Sequence, residues 1–455
     1  MADKLKQVIS EIESGARLTK VDLSNAGLKE FPRELFAVKD TLESLNMGGN
    51  ELSELPQDIT EFTKLRVMFF AGNRFEHIPV QLGRMPALWM LSFKSCQLKE
   101  VHASSLSPSI CWLILTDNLI PALPSTIGAL KGLRKLMLAG NKLQVLPQEL
   151  SACTDLELLR ISANELQALP DWLLQMPNLS WLAFAGNPLS LCDDEANAPL
   201  VPWTELTMGE QIGEGASGFV HRAVWKRAET VFSGSTIEVA VKLFKGETTS
   251  DGLPANEMEC LEALGTHPNL VPLLGRLSGA PLGQQGLVFP LLDLTEYSVL
   301  GAPPSLQTIT RDTFPTDTQF SEPFAARALG GVASACAHLH AAGLLHGDLY
   351  AHNTMVLADG SPLLTDFGAA SLLRHLTPQQ RRSLQLLEVR AFGCLVDDLL
   401  QYTQYTEGDA LQYTCKKDAL LALRDQCLAH TPSRPLFVDI LAQLDEISSI
   451  KPCIP

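Results

Sequence analysis

The chain has 455 residues, enough for about three domains of ~150 residues each. Hydrophobic residues make up 46% and charged residues 19% of it, which excludes a largely disordered or collagen-like protein. The formal net charge of −16 argues against a nucleic-acid partner, because an acidic surface gains nothing from the release of counterions around phosphates.

The cysteines and the N-terminus indicate a compartment. The ten cysteines form no CxxC pair, and their spacing fits neither a disulfide framework nor a zinc site, so we predict reduced thiols. Residues 1–15 lack the apolar core of a signal peptide. No window approaches the roughly 18 apolar residues that a membrane span needs. These features together predict a cytoplasmic protein without a membrane span.

The first elements in chain order are a helix and a long repeat. Apolar residues at helical spacing within residues 1–16 predict an amphipathic capping helix. A repeat of about 23 residues then fills residues 17–192. Its pattern, LxxLxLxxNxLxxLP, begins at eight positions: Leu18, Leu42, Leu65, Leu88, Ile110, Leu133, Leu156 and Leu179. Each unit has one short strand that cannot bury its leucines alone, so neighbouring units must stack. The asparagines should satisfy backbone groups at each turn, a role for which Ala26 and Cys96 are less suited.

Two variable positions in each repeat strand point away from the leucine core, because side chains alternate along a strand. Several of these positions carry apolar residues, and we call six of them the concave patch: Phe69, Met90, Trp112, Ile114, Met137 and Trp181. Two interpretations remain open. The concave patch packs against another segment of the chain, or it docks a protein partner or substrate.

A different kind of sequence follows the repeats. Residues 193–204 are acidic and contain proline, which predicts a linker, and residues 205–450 form the next domain. The run IGEGASGFV lies between two strand-like segments, whereas a dinucleotide-binding turn would be followed by a helix. Its glycines allow a hairpin to close over polyphosphate without Cβ clashes. The predicted nucleotide contacts in this run are Ile212, Gly213, Glu214, Gly215, Ala216, Ser217, Gly218, Phe219 and Val220.

Three further motifs follow in order. The strand VAVK contributes Ala240 to the nucleotide site and Lys242 to the α- and β-phosphates, and a predicted helix offers Glu257 as the partner of Lys242, with Glu259 as the fallback. The segment HGDLYAHN (346–353) contains Asp348 and Asn353, and TDFG (365–368) contains Asp366. Phosphoryl transfer needs a carboxylate and an amide as metal ligands and a second carboxylate to orient the acceptor hydroxyl. We therefore predict Asn353 and Asp366 as Mg²⁺ ligands and Asp348 as the base.

These motifs resemble two known families. The first half is similar to leucine-rich repeats, and residues 205–450 resemble the eukaryotic-type protein kinase domain, of tyrosine-kinase-like or Raf-like character. The resemblance implies an α/β leucine-rich-repeat solenoid followed by a two-lobed α+β kinase fold. It also implies ATP and Mg²⁺ as cofactors, phosphate transfer to protein hydroxyls, chiefly serine or threonine, and repeats that recruit or regulate. By the same likeness, Phe289 lies at the back of the adenine pocket.

Several departures from the kinase pattern keep two alternatives open. Gly347 replaces an arginine, Tyr350 replaces a lysine, and Glu388 replaces an aspartate at the start of the central helix. Only residues 367–387 separate Asp366 from Glu388, and no APE motif is recognisable. One alternative is a catalytically weak scaffold that retains nucleotide. The other is a phosphotransferase acting on a small-molecule hydroxyl, because the HGD loop also resembles aminoglycoside and choline-type kinases.

Overall fold

The computed structural model describes residues 2–190, 198–215, 218–226, 236–246, 249, 251–404 and 410–450. The chain forms two compact units. The first contains Met1–Leu179 and Asn187–Leu189, and the second contains Ser180–Gly186 and Ser190–Pro455. The second unit therefore includes Ser180–Gly186, a short piece of the predicted repeat region, whereas the sequence predicts that this region ends at residue 192.

The first unit is a parallel sheet of short strands preceded by a helix. Helix α1 (Ala2–Glu13) lies in the segment where the sequence predicts the capping helix. The strands are β1 (Lys20–Asp22), β2 (Ser44–Asn46), β3 (Val67–Phe69), β4 (Met90–Ser92), β5 (Trp112–Ile114), β6 (Lys135–Met137) and β7 (Leu158–Arg160). Each pairs in parallel with the next, and equivalent repeat positions lie side by side. Most return segments contain a short 3₁₀ helix, such as Gln57–Glu61 and Gln148–Ala152.

The predicted asparagine ladder is present in this unit. Asn118 accepts hydrogen bonds from the backbone N–H groups of Cys96 (3.1 Å) and Leu98 (2.9 Å), and it donates to Phe93 O and Leu115 O. Buried asparagines thus satisfy backbone groups that no regular ladder reaches. Cys96 stands where most repeats have an asparagine, and its thiol donates to Phe70 O at 3.1 Å. This bond replaces one of the hydrogen bonds that an asparagine side chain would make.

The concave patch follows the predicted register, and its members differ in exposure. Met90 pairs with Trp112, and Trp112 pairs with Lys135, so equivalent positions do form columns. Met90 is only 2% exposed and Trp181 only 1% exposed, which for these two members favours packing within the chain, the first of the two open interpretations. Phe69, Trp112, Ile114 and Met137 are half-buried. Strand alternation fixes the direction of a side chain but not what covers it.

The second unit begins with β8 (Trp181–Ala183) and contains a six-stranded sheet. This sheet has the order β10-β11-β12-β14-β13-β9. Its strands are β9 (Leu200–Pro202), β10 (Leu206–Glu214), β11 (Gly218–Lys226), β12 (Thr236–Phe244), β13 (Gly275–Ser278) and β14 (Gly286–Pro290). Helix α2 (Pro254–Ala263) follows β12. Strand β9 lies inside the predicted linker and pairs in parallel with β13, while residues 193–197 of that linker lie outside the described residues.

Helices dominate the rest of the second unit. They are α3 (Glu322–Ala341), α4 (Pro378–Tyr402), α5 (Ala410–Leu428) and α6 (Phe437–Ser449). Between them lie the short strands β15 (Ser298–Val299), β16 (Phe320–Ser321), β17 (Leu344–Leu345), β18 (Thr354–Val356), β19 (Pro362–Leu364), β20 (Ser371–Leu372) and β21 (Thr403–Gln404). Strand β18 pairs with β19 and β17 pairs with β20, which frames the loops at 346–353 and 365–370. Among the described residues, every helix is too short or too polar to cross a bilayer.

Candidate active site

A cavity of about 340 Å³ opens beside the hairpin of β10 and β11. Its lining includes most of the predicted nucleotide contacts: Ile212, Gly213, Gly215, Gly218, Val220, Ala240 and Lys242. Two predicted contacts point elsewhere, because the Glu214 carboxylate pairs with Lys245 at 2.6 Å and the Phe219 ring lies under the same ammonium. Ala216 and Ser217 lie outside the described residues. The cavity is therefore built by the glycine-rich hairpin and the adjoining strand.

The far wall of the cavity is apolar. Phe289 and the Pro290–Leu292 segment line it, as the kinase resemblance implies. Four further lining residues went unrecognised in the sequence: Leu261, Val271, Leu294 and Met355. They come from separate elements and carry no motif, so only the fold brings them together. An apolar slot with a few polar groups at one end is typical of sites for small planar ligands.

Gly218 shows why the hairpin needs a glycine. A Cβ atom at this position would lie 2.5 Å from Leu243 O on the neighbouring strand. Strand β11 runs antiparallel to β12 with Gly218 opposite Phe244. The absence of a side chain therefore lets the two backbones approach at the mouth of the cavity.

Lys242 is the positive centre of the cavity. Its Nζ lies 2.6 Å from Glu257 Oε1 on α2 and 3.7 Å from Asp366 Oδ1. Burial alone would lower the pKa of Lys242, but the carboxylates of Asp366 and Glu257 hold it above its ordinary value, so the ammonium stays charged. Glu257, rather than the fallback Glu259, is the carboxylate that reaches this lysine.

The loop at 346–353 brings Asp348 and Asn353 together. Asn353 Nδ2 donates to Asp348 Oδ2 and to Asp348 O, both at 2.9 Å. His346 is fully buried, and its Nε2 lies 2.9 Å from Thr365 O, which ties this loop to the segment that carries Asp366. Asp366 itself has φ +54°, a left-handed conformation that turns its carboxylate toward Lys242.

The donor set suits a hard cation. The Asp366 carboxylate and the Asn353 amide oxygen are oxygen ligands of the kind that Mg²⁺ prefers, with water and phosphate oxygens completing its shell. In the described part of the chain no three His, Cys, Asp or Glu side chains group around a possible metal position.

Two of the residues that depart from the kinase pattern, Gly347 and Glu388, are hydrogen-bonded to each other. Glu388 is buried in α4, where Oε1 accepts from Gly347 N at 2.7 Å and Oε2 pairs with His340 Nε2 at 2.7 Å. Burial would raise the pKa of Glu388, but the bonds from His340 and Gly347 hold it below its ordinary value. Helix α4 starts at Pro378, ten residues earlier than the sequence suggests, and is capped by Thr377. Only residues 367–377 lie between Asp366 and this helix.

Comparisons with known proteins agree with this geometry. Residues 206–392 match the protein tyrosine and serine/threonine kinase family, and residues 131–189 match leucine rich repeats. The chain is 27% identical to fibroblast growth factor receptor 1 of Xenopus laevis over 179 residues, which is 38% of this chain and 21% of the receptor. It is 30% identical to the probable serine/threonine-protein kinase pats1 of Dictyostelium discoideum over 146 residues, 30% of this chain and 5% of that kinase. The chain thus spans only a small part of these relatives' lengths. It combines a leucine-rich-repeat region with a protein kinase domain.

Proposed function

We propose that this protein is an ATP-dependent protein kinase that transfers the γ-phosphate to protein hydroxyls, chiefly of serine and threonine. The observation that carries the proposal is the joint position of Lys242, Glu257 and Asp366 at one end of the cavity. Kinases need the lysine–glutamate ion pair and the metal-binding aspartate in place at the same time. A scaffold that had lost catalysis would have no need to keep all three groups.

Each residue has a definite task in the proposed reaction. The cavity walls hold the adenine, and Lys242 neutralises charge on the α- and β-phosphates. Asn353 and Asp366 would hold Mg²⁺, which would supply positive charge against the negative charge that develops on the phosphates. Asp348 accepts the proton of the acceptor hydroxyl. The hydroxyl oxygen of the acceptor then forms a bond to the γ-phosphorus, while the bond between the γ-phosphorus and the bridging oxygen of ADP breaks. Asn353 orients Asp348 through the 2.9 Å hydrogen bond to Oδ2.

Mass spectrometry of the purified full chain incubated with Mg²⁺ and ATP tests this proposal. We expect phosphorylated serine or threonine on the chain or on an added protein, and loss of about a hundredfold or more in rate for Asp366→Asn. Asp359→Asn is the matched control, because Asp359 is an exposed aspartate that pairs with Arg327. Equal rates in Asp366→Asn and the wild type would overturn the assignment.

The same experiment separates the alternatives. Phosphate appearing on an aminoglycoside or choline but not on protein would support the small-molecule phosphotransferase. Nucleotide binding without transfer to either acceptor would support the scaffold. Phosphotyrosine as the main product would keep the kinase proposal and replace the serine/threonine preference.

We further propose that the first unit recruits a protein substrate or partner through the half-buried members of the concave patch: Phe69, Trp112, Ile114 and Met137. Support comes from Ile114 and Met137, which are paired on adjacent strands, and from Trp112, two residues from Ile114 on the same strand. Ser92 lies between Phe69 and this group. Met137→Lys should then raise the KM for a protein substrate while leaving the KM for a short peptide unchanged. An equal change in both would argue against recruitment by this surface.

A further inference from the structure

Strand β8 has the sequence of a repeat strand, and its Trp181 contacts a loop of the second unit. The Trp181 ring stacks on Tyr350 with centroids 4.5 Å apart and planes 5° apart. Trp181 Nε1 also donates a 3.0 Å hydrogen bond to Leu349 O. Leu349 and Tyr350 directly follow Asp348, so one buried tryptophan fixes both the backbone and the side chain next to the proposed base.

A second contact lies at Gly347, on the other side of Asp348. A Cβ atom at Gly347 would lie 2.9 Å from Leu182 O in β8 and 2.5 Å from Ala369 O, and its φ is +74°. The side chain that other kinases carry here has no room, because the backbone of β8 runs through that space. Phe184, the residue directly after β8, also reaches the segment after Asp366, since its backbone N–H donates to Ser371 Oγ at 3.4 Å.

The segment that usually holds this loop through phosphorylation is short and its hydroxyls are engaged. Regulated kinases order it by pairing a new phosphate with arginines. Here Gly347 replaces the arginine, Ser371 is fully buried, and Thr377 caps α4 by accepting from Gln380 N at 3.2 Å. The Ser371 hydroxyl is not available to a modifying enzyme without disrupting this packing, whereas Thr377 is exposed and is held by its capping hydrogen bonds.

We propose that β8 performs the task of the missing activation segment, with Trp181 as a positioning residue for the loop that carries Asp348. The inference rests on the proposed kinase function and adds to it how the loop is held. Since none of the residues that line the cavity belongs to β8, we expect it to act on the acceptor side of the reaction and not on nucleotide binding. Transfer should therefore start without prior phosphorylation of the chain.

The test compares Trp181→Ala, Trp181→Phe and the control Trp172→Ala in the full chain. Trp172 is a half-buried repeat tryptophan on a return segment of the first unit, whereas Trp181 is fully buried. We expect Trp181→Ala to lower kcat by about tenfold to a hundredfold, because small misplacements of reacting groups have effects of that size. The KM for ATP should stay within about twofold. Trp181→Phe, which keeps a ring to stack, should fall between Trp181→Ala and the wild type, and Trp172→Ala should match the wild type.

Hydrogen–deuterium exchange gives a readout that does not depend on activity. In Trp181→Ala, amides of residues 346–353 should exchange about tenfold faster than in the wild type, because the loop loses a local restraint. Amides of α6 should exchange at the wild-type rate. The positioning role is overturned if Trp181→Ala leaves the exchange rates of residues 346–353 unchanged. It is also overturned if the wild type is active and Trp181→Ala has the same kcat. If the wild type transfers no phosphate at all, the proposed function fails, and exchange alone decides whether Trp181 holds the loop. A lag that phosphatase-treated protein loses on pre-incubation with ATP would contradict activation-free turnover.

Discussion

Two tryptophans occupy the same position of the leucine-rich repeat and have different surroundings. Trp112, in β5, is half-buried in the first unit, with the Lys135 ammonium 4.3 Å from its ring centre. Trp181, in β8, is 1% exposed in the second unit, with its ring on Tyr350 and its N–H on Leu349 O. The indole N–H of Trp112 has no hydrogen-bond partner among the described residues.

The contrast shows that a repeat position determines the backbone and the direction of a side chain, but not its role. Both residues satisfy the same sequence pattern and belong to three-residue strands. What distinguishes them is the neighbouring structure, which for Trp181 includes the loop of the proposed base. Repeat strands whose variable positions contact solvent or other repeats should respond to mutation through stability or partner binding, whereas β8 should respond through catalysis.

The largest effect should come from the ladder that supports β5. Asn118→Ala would remove the acceptor of Cys96 N and Leu98 N and the donor to Phe93 O. Since each buried backbone group left unpaired costs about 1–3 kcal/mol, we expect the free energy of unfolding to fall by about 3–5 kcal/mol. Denaturant unfolding followed by tryptophan fluorescence would measure it.

Cys96→Ala is the control in the same ladder. Its thiol donates to Phe70 O, which also receives a hydrogen bond from Asn73 Nδ2 at 2.8 Å, so that carbonyl stays satisfied. The loss should be about 1 kcal/mol, the worth of one hydrogen bond. Equal losses in Asn118→Ala and Cys96→Ala would mean that the asparagines do not carry the ladder.

The next effect concerns the approach of β8 to the catalytic loop. Gly347→Ala combines a left-handed φ of +74° with contacts of 2.5 Å and 2.9 Å to two carbonyl oxygens. Gly343→Ala has nearly the same φ, +76°, with nothing within 4 Å of the new Cβ. We expect Gly347→Ala to be less stable than Gly343→Ala by about 1–3 kcal/mol, the usual cost of overpacking. It should also lower kcat, which Gly343→Ala should not. Identical melting temperatures for the two variants would show that β8 can move aside.

Much of the repeat unit is predictable from the sequence because the stacking of its strands requires a regular spacing of leucines. Stacked strands require leucines at fixed spacing, and the register of Met90, Trp112 and Lys135 follows directly. Exposure was less predictable, as Met90 and Trp181 show. Burial depends on contacts that are distant in sequence, and no local pattern encodes them.

The candidate site shows a similar division. Lys242, Glu257 and Asp366 could be named from motifs because ion pairing and metal binding restrict residue type at each position. The apolar lining, such as Leu261 and Met355, could not, since many residues fit an apolar wall. Gly347 was recognisable as a departure in the sequence, but its cause is visible only where Leu182 O approaches its Cα.

The smallest effect distinguishes the two tryptophans most directly. Trp112→Phe removes a buried N–H that lacks a partner among the described residues, so stability should stay unchanged or rise. Trp181→Phe removes a donor from Leu349 O, so the free energy of unfolding should fall by about 1 kcal/mol. The same substitution should therefore lower the free energy of unfolding at position 181 and not at position 112, which calorimetry of each variant would measure. A loss at both positions would mean that the indole N–H of Trp112 does have a partner in solution, whereas no change at either would mean that the bond to Leu349 O contributes nothing to holding the loop.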